Sequence, residues 1–169
     1  MMNLKRLLVF LVVPLLVIFI FVSSVNAQTN RQGLRKEALE NPRLPNFTSI
    51  FNWGLKLSNI KNWYFFSGIA AQQPNFSIVS PGNYIAQTDY VLNELDIFLR
   101  QNQLNRSDIA RIEFTLVNGY SEADFNAILG RFAGYFQTVQ VKPAAGTLRV
   151  VNALAFPGLV VEYEVWCVK

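Results

Sequence analysis

Histidine is absent from the 169 residues, and cysteine occurs once, as Cys167. Without histidine there is no Ser-His-Asp or Cys-His catalytic unit and no His-ligated metal; one cysteine allows no intrachain disulfide. Charge is scarce too: 15 basic and 11 acidic residues leave a net +4, and setting aside Lys5 and Arg6 lowers that to +2. So small an excess is no footprint for nucleic acid. What the chain has instead is aromatic residues, 14 Phe, 6 Tyr and 3 Trp. That content and the moderate charge exclude a disordered or low-complexity chain.

The amino terminus differs from the rest. Lys5 and Arg6 precede an unbroken apolar run from Leu7 to Val22, and Val25-Asn26-Ala27 ends in the small residue that signal cleavage requires. Residues 1–27 are therefore read as a secretory signal or, with the run extended through residue 25, as a retained membrane anchor. Both readings put the domain outside the cytoplasm, periplasmic or extracellular, and the second tethers it through residues 7–25. Residues 28–49 are polar, contain Pro42 and Pro45, and show no helical or strand period. They read as a linker, leaving one domain over residues 50–169. Asn46-Phe47-Thr48, Asn75-Phe76-Ser77 and Asn105-Arg106-Ser107 match the glycosylation sequon, a signal close to chance in an Asn-rich chain.

Within the domain, residues 50–57 and 63–67 are short β-rich runs on either side of a turn-forming stretch, the pattern of a hairpin. Ile85, Thr88, Leu92, Leu95 and Leu99 recur at three- and four-residue steps and mark a helix. Residues 111–117 alternate, with Ile112, Phe114 and Leu116 on one side, and read as a strand. Ser121 and Asp124 have capping-box spacing, and Phe125, Ile128, Leu129, Phe132, Tyr135 and Phe136 form the buried stripe of a second helix. Residues 147–151 and 159–165 supply two more strands. The predicted order is β-β-α-β-α-β-β, an α+β layer with both helices on one face of a sheet. Apolar residues on both sides of the last strand suggest that a partner subunit covers the other face.

The 119 residues from Phe51 onward resemble the RidA family, also called YjgF. The resemblance rests on Phe66-Ser67-Gly68, Gln87-Thr88, Asn93, Asp108-Ile109-Ala110-Arg111-Ile112, Asp124-Phe125, Tyr135-Phe136, Pro143-Ala144 and Val161-Glu162-Tyr163-Glu164, in that order and spacing. It implies a chorismate-mutase-like fold and a homotrimer with clefts between subunits. Family enzymes hydrolyse imino or enamine acids to keto acids and ammonia without a cofactor. That chemistry needs an arginine fork for the substrate carboxylate and a carboxyl group near the imine carbon.

The carry-over is partial. Glu162 matches the catalytic glutamate, Ser67 and Gly68 the family's Ser-Gly, and Thr147 a substrate-contacting position. The carboxylate-binding arginine is replaced by Ala145, the glutamine after Ser-Gly by Ile69, a tyrosine by Phe51 and an asparagine by Leu129. Arg149 reads as a solvated or interface residue or, alternatively, as a displaced carboxylate binder, since strict alternation would put it on the face of Ala145 and Thr147. The substrate-binding set is thus Phe51, Ser67, Gly68, Ala145, Thr147 and Arg149, with no metal and no cofactor. The resulting expectation is a non-catalytic protein binding a small molecule at its inter-subunit clefts, with no nucleic-acid partner. The alternative is a working 2-iminobutanoate/2-iminopropanoate deaminase. Cys167 falls on the strand face of Leu159, Val161, Tyr163 and Val165 and reads as a buried apolar side chain.

Overall fold

The computed structural model describes residues 33–169. The signal or anchor read into residues 1–27, and residues 28–32 of the expected linker, lie outside the described residues. The elements are β1 (Arg35–Leu39), β2 (Gly54–Ser58), β3 (Trp63–Phe65), β4 (Ile69–Ala70), α1 (Tyr84–Gln101), a 3-10 turn (Arg106–Asp108), β5 (Ile109–Val117), α2 (Glu122–Tyr135), β6 (Ala144–Val151) and β7 (Val161–Val168).

Both helices form where their caps and stripes place them. The Asn83 side chain accepts from the Ala86 amide at 2.9 Å to start α1. At α2 the Ser121–Asp124 box closes in both directions, at 3.1 and 2.9 Å. On α1, Val91, Leu92, Leu95 and Leu99 are buried; on α2, Ile128, Phe132 and Tyr135 are. They meet Ile112, Phe114 and Leu116 of β5 and Val161, Tyr163 and Val165 of β7, which are buried as well. Phe132 is the keystone, its ring meeting Phe114 at 4.7 Å and Tyr163 at 4.9 Å, nearly perpendicular to both. Full burial of such a side chain contributes about 1.5–3 kcal/mol. Cys167 is buried on this face as read, and burial pushes its thiol up to about 12, which leaves it an inert apolar group.

Two polar residues on the core side of α1 complete the packing. The Thr88 hydroxyl and Tyr163 phenol share a 2.7 Å hydrogen bond. Gln87, fully buried, donates to the Gly158 and Ser80 carbonyls and accepts from the Val160 amide. It ties the loop before α1 to the loop before β7.

The main sheet runs β3-β7-β5-β6, with β4 also paired to β7. β5 and β6 are parallel, joined by the α2 crossover, and the β7 pairings are antiparallel. The α+β class and both helices are as the sequence predicts. Three expectations are corrected. Arg35–Leu39, assigned to the linker, is a strand paired along its whole length with β2, so the domain begins before residue 50. The pair is only partly buried and polar, which is why it shows no period. The predicted hairpin of residues 50–57 with 63–67 does not form. Asn59, at φ 59°, turns the chain, and the amides of Lys61 and Asn62 donate to the Lys169 carbonyl, which aligns β3 on the end of β7. Finally, the far side of β7 is Glu162, Glu164 and Trp166, a mixed face instead of an apolar one. Each of the three sequon asparagines is exposed and accepts from the amide and hydroxyl two residues on.

Candidate ligand-binding site

Residues 47–53 lie between β1 and β2 and are laid along the start of β6. The Asn52 amide donates to the Pro143 carbonyl at 2.9 Å, and its side chain donates to the Lys142 carbonyl at 2.8 Å. Ile50 is buried beneath, and the Trp53 indole donates to the Pro45 carbonyl at 2.9 Å. Held this way, three rings form a corner. Phe47 and Phe51 are stacked at 5.0 Å, and Trp53 stands at 89° to Phe51, 5.8 Å away. The corner closes over the α2 stripe and the apolar side of β5, enclosing a pocket of about 360 Å³. Phe47, Phe51, Trp53, Phe114, Phe125 and Leu129 supply most of its wall, and no charged side chain lines it.

The opposite side of the sheet holds the charges. Glu113 of β5 is buried between two guanidiniums: Arg111 Nη2 lies 2.5 Å from its Oε1, and Arg149 Nη1 pairs with its Oε2. Burial alone would raise its pKa, but hydrogen bonds from both arginines and their charges outweigh that and hold the carboxyl below its ordinary value. Glu164 lies opposite Glu113 on β7, and Glu162 lies opposite Thr115. Trp166 donates to Glu164 at 2.9 Å and carries the Arg111 guanidinium 4.9 Å from its ring. Phe65 packs edge-on against Trp166 at 5.4 Å and stacks with Trp63 at 6.1 Å, yet it is 66% exposed.

The residues singled out from the sequence divide between these two places. Phe51 and Leu129 line the pocket, as does Gly146, the residue after Ala145. Ser67 and Gly68 are exposed, and Gly68 lies on the charged side, where a Cβ on it would come within 2.6 Å of the Glu162 carboxyl carbon. Glu162 is half-buried, and its carboxylate has no hydrogen-bond or ion-pair partner among the described residues. Thr147 is exposed where β6 carries a bulge between its pairings with Ile112 and Phe114. Ile69 faces the core, opposite Tyr163.

The bulge corrects the expectation for Arg149. Ala145 pairs with Ile112, but after one extra residue Leu148 pairs with Phe114 and Arg149 with Thr115. Alternation is broken, and Arg149 stands on the charged face, bound to Glu113, away from the pocket. Sequence reasoning missed Glu113 altogether, although Arg111 and Glu113 at a two-residue step on one strand were the available signal. It also missed Phe47, inside the supposed linker. Among the described residues no three His, Cys, Asp or Glu side chains gather as a metal would need.

No family model matches the chain, and no curated protein does. Solved structures do. A protein of the conserved Rid family from Yersinia pestis, YyfB, superposes with a TM-score of 0.70 at 24% identity, covering 79% of this chain and 98% of its own. A second Rid-family protein from Yersinia pestis, YyfA, gives 0.55 at 20% identity, over 80% of this chain and 100% of its own. A candidate endoribonuclease from Thermotoga maritima gives 0.54 at 20% identity, over 80% and 98%. The chain has the fold these proteins share, over nearly their whole length.

Proposed function

We propose that this Rid-fold chain is a RidA-family member that works outside the cytoplasm, has lost imine hydrolysis and binds a small molecule at the clefts of a homotrimer. The observation that carries the reading is the pocket at Phe51, Leu129 and Gly146. Phe51 and Leu129 stand where the resemblance has two polar residues of the family's substrate cleft, and no charged side chain lines the pocket they share, while Glu162, which the resemblance also assigns to that cleft, lies on the opposite face. An imino acid would bring a carboxylate to a site without its arginine fork. Charge-assisted hydrogen bonds are worth about 1.5–3 kcal/mol each, and 1.4 kcal/mol is tenfold in affinity, so losing the fork costs on the order of two decades or more. The exposed rings of Trp63 and Phe65 beside Trp166 support a second copy covering the charged face.

The test couples an amino-acid oxidase, which releases 2-imino acids, to a keto-acid readout. Keto-acid release at the spontaneous rate with the protein present is expected; acceleration would refute the non-catalytic reading. A second reading has an observation of its own. The Glu162 carboxylate is without a partner among the described residues, and Arg149, paired with Glu113, stands on the same face two strands away, with only Thr115 between them in register. A 2-iminobutanoate/2-iminopropanoate deaminase using that pair would show activity that disappears in Arg149→Ala.

A further inference from the structure

Building on the proposed binding role of the pocket, we infer that its ligand is an uncharged aromatic molecule. Three features of the pocket point to that class. Its charge balance excludes ions: an acid or an amine entering it would give up water and gain no counter-charge from the wall. Two of its polar groups are already engaged, because the Asn52 side-chain amide donates to the Lys142 carbonyl and the Trp53 indole to the Pro45 carbonyl. Ligand recognition therefore rests chiefly on shape and on rings.

The rings are arranged to receive another ring. Phe51 and Trp53 stand at 89°, and Phe47 and Trp53 at 68°, so the corner presents faces in two directions. A flat guest can stack on one wall while its edge meets another, the two geometries that aromatic pairs favour. A saturated ring of equal size can do neither. The volume of about 360 Å³ falls in the lower part of the small-molecule range.

Three probes of one skeleton separate the terms: phenylacetamide, its acid phenylacetate and its saturated counterpart cyclohexylacetamide, titrated into the folded protein by calorimetry or ligand-observed NMR. Phenylacetamide is expected to bind at least tenfold more tightly than phenylacetate and at least fivefold more tightly than cyclohexylacetamide. In Phe51→Leu, which keeps the wall apolar, the aromatic preference should shrink toward parity. Equal or tighter binding of either comparison probe to the native protein overturns the aromatic, uncharged assignment while leaving the pocket's binding role standing. If none of the three binds, both fall; the oxidase-coupled assay judges the loss of catalysis separately.

Discussion

The two faces of β5 are one strand under two regimes. Ile112, Phe114 and Leu116 are sealed by α1 and α2, whereas Arg111, Glu113 and Thr115 look out on a face that neither helix covers. On the first face burial is complete within the chain. On the second, a carboxylate is buried only because two arginines fold over it, and the neighbouring rings of Trp63 and Phe65 stay exposed. The contrast teaches that stability resides on the helix side, and that the charged side is neutralised locally and left uncovered by the described residues. The apolar pocket belongs to the first regime, where the core stripe of α2 runs out from under the sheet and meets the aromatic corner.

The comparison can be broken most severely at Phe132. Phe132→Ala removes the ring between Phe114 and Tyr163 and should cost about 3–5 kcal/mol in urea unfolding. Glu113→Gln on the other face should cost less, about 1.5–3 kcal/mol, through loss of the charge-assisted bonds. It should also change the acid limb. The Glu113 carboxyl is held below its ordinary value of 4.5 in the folded state, so the unfolded chain takes up the proton first. Its contribution is therefore present above about pH 4.5 and lost as the pH falls through the lower folded value. Unfolding measured from pH 3 to 7 should show that loss in the native protein and a flatter profile in the Gln variant; identical profiles would mean that the ion pairs contribute nothing.

Two glycines sharpen the contrast further. A Cβ at Gly146 would fall inside the Glu113 side chain and 3.0 Å from Arg111 Nε, so Gly146→Ala should destabilise by roughly 1–3 kcal/mol. Gly68→Ala meets the outer end of the Glu162 side chain, which can swing away, and the loss should be smaller by the same melting measurement. A small effect on chain stability, about 0.5–1.5 kcal/mol, is expected from Phe65→Asp, an exposed ring that gives up its contacts with Trp63 and Trp166. Light scattering should nevertheless show smaller assemblies if that ring belongs to an interface; an unchanged assembly would remove Phe65 from it.

Much of the architecture was legible because it is written locally. The α1 and α2 stripes, both caps and the alternation of β5 each involve residues a turn or two apart. β1 was illegible because Arg35–Leu39 is a partly buried, polar edge pair whose partner is chosen by the fold and whose own residues carry no period. At the site, Phe51 and Leu129 came from the resemblance. Phe47 did not, because it acquires meaning only when stacked on Phe51. Glu113 escaped notice because its burial depends on Arg149, which reaches it from a different strand.

The sequence by itself determined the class of fold, the inward faces of the helices and the absence of an arginine after Pro143-Ala144. Those follow from side-chain period and identity, which need no distant partner. Tertiary structure alone decided that β2 joins β1, that β3 joins β7, and that a single extra residue in β6 sends Arg149 to Glu113 and away from the pocket. Strand pairing is a choice among long-range alternatives closed by loops, and a one-residue shift in register exchanges the two faces of everything beyond it.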